Sequence, residues 1–114
     1  MKGRTDHPLV GRWRIVKADL WGRDHLELCG PAMIIINANG TGDTSFGAMT
    51  ASLDIAYSSH DVGFTWDGCE EGDQVEGEGG AEIQKDGSLL INFAYRHGDK
   101  AVLIAKRTSS STAC

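Results

Sequence analysis

The feature that most constrains this chain is a series of short segments in which apolar and polar residues alternate. Residues 50–57 show it most clearly, with the sequence Thr-Ala-Ser-Leu-Asp-Ile-Ala-Tyr. A period of two places alternate side chains on the same face of an extended strand, so this segment predicts a strand with one buried face. Asn39-Gly40 and Asp86-Gly87 are dipeptides typical of two-residue hairpin turns. The sequence therefore predicts antiparallel strands joined by tight turns.

Eight segments have such a pattern or a short apolar run. We predict strands at 9–18, 32–37, 41–48, 50–57, 62–66, 74–84, 88–96 and 100–107. Residues 19–31 lack the alternation and end at Gly30-Pro31, which indicates one or two helical turns or an ordered loop. Short links make consecutive strands hairpin neighbours, and closure of the sheet would remove its exposed edges.

The predicted fold class is all-β: a small antiparallel up-and-down β-barrel of about eight strands, with a short helix or ordered loop after strand one. A two-layer sandwich of the same strands is the alternative. The 114 residues have the size of one domain. We assign residues 1–8 to an N-terminal arm, 9–107 to the barrel domain and 108–114 to a flexible C-terminal tail.

The cysteines and the hydropathy pattern exclude several protein classes. Cys29, Cys69 and Cys114 are far apart and odd in number, which argues against a disulfide framework or a cysteine-based zinc site. The sequence contains no apolar stretch of membrane-helix length and no secretory signal pattern. We therefore expect a cytoplasmic protein that does not associate with a membrane.

Charge is distributed unevenly along the chain, whose net charge is −5. Residues 1–23 carry a net charge of +4, residues 24–84 carry −12 without any Lys or Arg, and residues 85–114 carry +3. The overall acidity disfavours nucleic acid as a partner. If the first and last strands pair, the two basic segments become neighbours and the acidic strands form the rest of the wall. That wall is either a solvated face or a charge-matched surface for a partner, including a second copy in a homodimer.

Two short motifs lie near the ends of the predicted barrel: Gly11-Arg12-Trp13 in the first strand and Lys106-Arg107 in the last. They resemble the calycin superfamily, which comprises lipocalins, fatty-acid-binding proteins and avidins. In lipocalins and their close relatives, a basic residue from the last strand region often packs on the tryptophan of the Gly-x-Trp motif. The resemblance implies structural roles for Gly11, Trp13 and Arg107, with a cation–π contact that helps to join the two strands.

A longer stretch, residues 11–21 followed by Pro31-Ala32, is similar to the start of small uncharacterised bacterial proteins with a lipocalin-like barrel. This resemblance implies the fold and supplies no activity or ligand type.

Aromatic residues are the candidate lining of a ligand cavity, because small-molecule sites are largely apolar. Plain core packing is the alternative interpretation of the same residues. Trp21 lies in the irregular segment and could cap the mouth of the barrel. The predicted ligand-binding residues are Trp21, Tyr57, Phe64, Trp66, Phe93 and Tyr95.

Polar residues offer weaker candidates. The acidic loop at 67–73 has oxygen ligands that suit calcium, but its spacing does not match an EF-hand loop, and a solvated turn is the simpler interpretation. His25 lies near Asp24 and Glu27, which could form a metal or acid–base cluster, although a surface histidine is the simpler interpretation. No nucleophile elbow, Walker loop or dinucleotide fingerprint is present, so we predict no catalytic residue, metal or cofactor.

Three functional hypotheses follow. The first is a barrel that binds a small apolar or aromatic small-molecule ligand, which requires an internal cavity of some hundreds of Å³. The second is a non-enzymatic protein-interaction or self-associating module with a solid core and an acidic outer wall, which predicts salt-sensitive association. The third is an enzyme that uses His25 or a carboxylate such as Glu76 or Glu78 at the barrel mouth. The first is preferred over the second, and an enzyme is the least favoured.

Overall fold

The computed structural model describes residues 7–28, 30–96 and 98–108, and it shows eight antiparallel strands closed into one barrel. The strands are β1 (Gly11–Ala18), β2 (Met33–Ile36), β3 (Thr41–Phe46), β4 (Met49–Tyr57), β5 (Asp61–Glu70), β6 (Asp73–Ile83), β7 (Leu89–Tyr95) and β8 (Lys100–Arg107), and helix α1 (Arg23–Leu26) follows β1. Each strand pairs with its sequence neighbour, and β1 also pairs with β8. The predicted all-β up-and-down barrel with a short helix after the first strand is confirmed.

The fifth strand is longer than the sequence pattern predicts, and the sixth begins one residue earlier. β5 continues to Glu70 and β6 begins at Asp73, so most of the predicted acidic loop is strand. The turn itself is Glu71-Gly72, and both residues have positive φ, 52° and 88°, as in the turns that join tight hairpins. Acidic residues and glycine are uncommon in strands. Here continuous pairing with β4 and β6 extends the strand despite that composition.

Side chains from all eight strands fill the interior. Trp66 stacks on Phe93 with ring centroids 4.4 Å apart, and Phe46 meets Phe93 edge-on at 5.2 Å. None of these three residues is more than 4% exposed. The largest fully buried side chains are Trp13, Phe93, Leu9, Ile15, Leu26, Ile34, Ile36, Met49, Leu89, Ile91 and Leu103. The core is therefore continuous across the barrel, as the close packing of protein interiors requires.

Chain segments cover parts of both barrel ends. Where β1 begins, Leu9 is fully buried and its carbonyl accepts a hydrogen bond from Trp13 Nε1 at 3.0 Å. At the opposite end, α1 buries Leu26, and the Leu26 carbonyl accepts a hydrogen bond from the Gly47 amide at 2.7 Å. Among the described residues, no helix is long and apolar enough to cross a bilayer.

Part of the predicted N-terminal arm packs on the barrel. His7 is 3% exposed, and its Nε2 lies 2.6 Å from the carbonyl oxygen of Ser58. Its Nδ1 accepts a hydrogen bond from the Leu9 amide at 3.1 Å, which places the ring proton on Nε2. Residues 1–6 of the predicted arm, residues 109–114 of the predicted tail, and Cys29 lie outside the described residues.

Candidate functional site

The contact between the first and last strands lies at the end where β1 begins. The Arg107 guanidinium carbon lies 4.2 Å from the centroid of the Trp13 ring, and the two residues are paired in register. Arg107 also donates hydrogen bonds to the carbonyls of Pro8 and Val10. A Cβ at Gly11 would lie 2.5 Å from Arg107 Nη1, and Gly11 has φ 144°, so glycine fits here for two reasons. This arrangement ties β1, β8 and the segment before β1 together.

Four of the six predicted ligand-binding residues form one aromatic cluster. Phe93 is its centre, with ring centroids 6.3 Å from Phe64, 4.4 Å from Trp66 and 5.7 Å from Tyr95. Phe64, Trp66 and Phe93 are buried, whereas Tyr95 is half-buried at the end of β7. The buried rings therefore contact one another rather than an open interior.

The other two predicted residues lie at opposite ends of the barrel. Trp21 is half-buried beside α1, with its ring 5.5 Å from Phe46 and stacked on His25 at 5.7 Å. Phe46 in turn contacts Phe93, so it connects Trp21 to the cluster. The predicted site did not include Phe46, although its position on the inner face of strand three was a signal for it. Tyr57 lies at the far end, where its hydroxyl accepts a hydrogen bond from the Gly40 amide at 3.0 Å.

Tyr95 is the inner-face residue with the most perturbed titration. Burial raises the pKa of its hydroxyl, and the nearby Glu70 carboxylate, which is in hydrogen-bond contact with it, raises the pKa further. The hydroxyl therefore remains protonated and serves as a donor to Glu70. This pair lies at the same end of the barrel as Trp21 and α1, because β3, β5 and β7 all end there.

A groove with a volume of about 870 Å³ crosses the outer wall of the barrel over β4 to β8. Its lining includes the outward-facing residues Asp54, Ala56, Gly63, Thr65, Glu78 and Lys100. Ala56, Gly63 and Gly80 occupy one cross-strand row on β4, β5 and β6. A Cβ added at Gly63 would meet nothing within 4 Å. The floor of the groove is low over β4 and β5, where Ala56 and Gly63 have little or no side chain, and on β7 and β8 the same row continues with Asn92 and Val102.

A second depression of about 650 Å³ continues the groove over β5 to β8 and shares Thr65, Glu78 and Lys100 with it. Glu76 and Arg96 border this part and form an ion pair at 2.9 Å. We call the two depressions together the outer groove. The residues of the aromatic cluster also border its floor, although their rings point into the barrel: Phe64, Phe93, Trp66 and Tyr95.

Two other glycines of β6 face inward and, unlike Gly63, lie close to side chains and backbone of the neighbouring strands. Gly77 is paired with Trp66, and Gly79 with Phe64. A Cβ at Gly77 would lie 2.8 Å from the Trp66 ring and 1.9 Å from the Ala94 carbonyl oxygen. A Cβ at Gly79 would lie 2.9 Å from the Phe64 ring and 2.2 Å from the Asn92 carbonyl oxygen. These glycines allow the two rings to lie directly against the backbone of the neighbouring strand.

The candidate polar clusters are dispersed. Asp24 and His25 are exposed on α1, and Glu27 forms an ion pair with Arg14 at 2.5 Å. Glu76 and Glu78 face outward on β6, and Glu76 pairs with Arg96. In the ranges that the structure describes, no three His, Cys, Asp or Glu side chains are grouped as metal ligands would be.

Comparison with known proteins gives no functional assignment. No family model matches the chain, and no curated protein sequence matches it. The interpretation of the site therefore depends on its geometry and charge.

Proposed function

We propose that the protein is a non-enzymatic binding module whose barrel is packed with side chains and whose outer groove binds a basic partner. The observation that carries this proposal is the location of the concave space. The outer groove lies on the outer wall, whereas stacked aromatic rings occupy the interior beneath it.

The packed interior favours this function over a ligand held inside the barrel. Small-molecule sites are usually preformed cavities that bury most of the ligand. A ligand at the centre of this barrel would have to separate Phe93 from Trp66 and Phe46, whose rings contact it at 4.4 Å and 5.2 Å. Because protein interiors are close-packed, such a displacement would sacrifice the contacts that stabilise the fold.

The charge of the groove borders favours a basic partner. Asp54 and Glu78 border the groove on one side of its floor, and the row beyond the other side places Asp61 directly opposite Glu82. All four carboxylates are exposed. Residues 24–84 contain no Lys or Arg, so β2 to β6 offer no internal counter-charge. Lys100 and the paired Arg96 also line the outer groove, so its lining is acidic in balance, with Asp54, Asp67, Glu76 and Glu78 against these two cations. A concave surface with an excess of one sign of charge attracts ligands of the opposite sign.

The shape of the groove favours a macromolecular partner. Its volume of about 870 Å³ lies within the usual range of ligand sites. However, its floor is the open face of a sheet rather than an enclosed chamber, and it extends across five strands. Such a surface suits the side chains of a peptide or protein better than a small molecule that must be enclosed.

A titration of the ¹⁵N-labelled protein with a tetralysine peptide at low ionic strength tests the proposal. We expect amide shifts centred on Asp54, Gly63 and Glu78, and we expect them to disappear at high salt because exposed charges are screened. The variant Gly63→Phe fills the floor of the groove and should weaken binding by about tenfold, or about 1.4 kcal/mol. Thr50→Phe adds the same ring to the outer face of β4 outside the groove, and its affinity should equal that of the wild type. Shifts spread evenly over the surface, or equal affinity of all three proteins, would reject the proposal.

The half-buried aromatic residues at one end of the barrel support a second candidate function, the binding of a small apolar or aromatic ligand there. Trp21 and Tyr95 lie at that end, near the buried rings of Phe46 and Phe93. Titration with an anilinonaphthalene sulfonate dye tests this candidate through the indole proton signal of Trp21. A saturable shift in the wild type, together with a saturable rise in dye fluorescence that is lost in Trp21→Ala, would support it, and an unchanged spectrum and fluorescence would reject it.

A further inference from the structure

We infer that the partner that fits the outer groove is a second copy of the chain, docked through a basic face on the opposite side of its barrel. This inference depends on the proposed function of the groove. The basic face consists of Arg12, Arg14 and Lys17 on β1 and Lys106 on β8, whereas Lys100 at the start of β8 lines the groove instead. All four residues of the basic face are exposed.

The closed topology places the two charged surfaces on opposite sides. The strands follow the order β1 to β8 around the barrel, so β5 is four strands away from β1 in both directions. The acidic borders of the groove lie on β4, β5 and β6, whereas the basic face lies on β8 and β1. One copy therefore presents the acidic borders of the groove on one side and the basic face on the other, with the groove ending on β8 at Lys100. Contact between unlike surfaces is heterologous, and with the two surfaces opposed it produces open chains rather than closed dimers.

Like charges face each other within both surfaces. The register places Asp61 opposite Glu82 on the acidic side and Arg14 opposite Lys106 on the basic side. Like charges directly opposite one another destabilise an antiparallel pair. Glu27 forms an ion pair with Arg14 and so reduces the repulsion on the basic side. In a heterologous contact the acidic surface of one copy meets the basic surface of the other, so each contact relieves the repulsion within the two surfaces that it joins.

The basic face also carries apolar side chains that the groove can receive. Ile35 is paired with Arg12 and Ile104 with Lys17, and both isoleucines are half-buried and point outward. Exposed ion pairs alone contribute little to association. Apolar contact with the low floor at Ala56 and Gly63 supplies the burial that a specific contact needs.

Sedimentation velocity of the full-length wild-type protein under reducing conditions is the first test. At low ionic strength the mean sedimentation coefficient should increase continuously with protein concentration. At high ionic strength it should return to the monomer value, because the Debye length falls to about 3 Å at 1 M salt. A wild type that stays monomeric at low ionic strength, or that stops at two copies, would overturn the inference.

A pair of complementary variants gives the sharper test. The acid-neutral variant carries Asp54→Asn, Asp61→Asn, Glu78→Gln and Glu82→Gln, and the base-neutral variant carries Arg12→Gln, Lys17→Gln and Lys106→Gln. Arg14 and Arg107 are kept because they contact Glu27 and Trp13. Each variant retains one intact surface, so each alone should be monomeric. An equimolar mixture should form a one-to-one dimer that does not grow with concentration.

The outcomes separate this inference from the proposed function. If either variant alone associates as the wild type does, or if the mixture stays monomeric while both variants keep the wild-type circular dichroism spectrum, the second-copy inference is wrong. Tetralysine binding in the groove of a strictly monomeric wild type would support the proposed function and reject the second copy as the partner. Failure of both experiments would reject both proposals.

Discussion

Four of the five glycines of β5 and β6 form two pairs on opposite faces of the sheet, and the fifth, Gly68, is paired with Ala51 on the inner face. Gly77 and Gly79 face inward, and the rings of Trp66 and Phe64 pack against them. Gly63 and Gly80 face outward and are paired with each other. At Gly63 there is open space, whereas the inward pair has carbonyl oxygens within 2.2 Å of any added Cβ. Glycine on the inner face therefore permits packing, whereas Gly63 on the outer face leaves the floor of the groove low.

Glycine in these strands therefore has different consequences on the inner and the outer face of the sheet. A glycine-rich strand is weakened by backbone entropy and by the lack of side chains to pack. On the inner face, the aromatic ring on the neighbouring strand replaces the missing side chain. On the outer face at Gly63 nothing replaces it, and the space above the strand stays open.

The largest expected effect comes from removing a ring that covers an inward glycine. Phe64→Ala should destabilise the protein by about 3–5 kcal/mol, because it removes a buried aromatic side chain and uncovers Gly79. Urea unfolding followed by circular dichroism measures the difference. A loss below 1 kcal/mol would show that the ring is not needed over the glycine.

A side chain on the inner face is expected to have the next largest effect. Gly79→Ala places a Cβ 2.2 Å from the Asn92 carbonyl oxygen, so the β6–β7 pairing must shift. We expect a loss of about 1–3 kcal/mol in the free energy of unfolding. The double variant with Phe64→Ala should not recover this loss, because the backbone contact remains. Recovery would show that the ring alone requires glycine at this position.

The matching substitution on the outer face should have little effect on stability. Gly63→Val meets open space and does not require positive φ, and valine favours extended structure. We expect the free energy of unfolding to stay within about 0.5 kcal/mol of the wild type. The same urea experiment serves as the measurement. A loss as large as that of Gly79→Ala would contradict the distinction between the two faces.

The smallest effect concerns the β6–β7 turn, which lies outside both glycine pairs and depends on charge instead of packing. Hydrogen bonds from the Ser88 hydroxyl and amide lower the pKa of Asp86 below its usual 3.8. The folded state therefore gains stability from the carboxylate above that pH and loses it as the pH falls through the lowered value. In thermal unfolding, the melting temperature of the wild type should be slightly higher than that of Asp86→Asn at neutral pH. In acid the two melting temperatures should be equal. A difference in melting temperature that is the same at all pH values would show that the ionised carboxylate of Asp86 is not its cause.

Much of the fold follows from local patterns in the sequence. The alternation in β4 and the Asn39-Gly40 and Asp86-Gly87 turns indicated hairpins, and the need to cover sheet edges indicated closure. The acidic stretch at 67–73 was predicted as a loop and is mostly strand. Its composition disfavours strands locally, and only the pairing with β4 and β6 overrides that preference.

The candidate site was harder to predict from the sequence than the fold. The aromatic residues were recognised, but their order along the chain does not show that Tyr57 lies at the end opposite Trp21 or that Phe46 links Trp21 to Phe93. The sequence shows three glycines, Gly77, Gly79 and Gly80, within the sixth strand. Which of them faces outward depends on a register that a one-residue shift would reverse.

The sequence by itself determined the strand periodicity, the hairpin turns and the division of the chain into basic and acidic segments. Those properties depend on side-chain chemistry and on residues that are adjacent in the chain. Only the tertiary structure decided that aromatic rings stack in the interior, that Ala56, Gly63 and Gly80 share one outward-facing row, and that β5 lies four strands from β1 in both directions. These properties arise from pairing between strands that are distant in sequence, since closure and register determine which side chains meet.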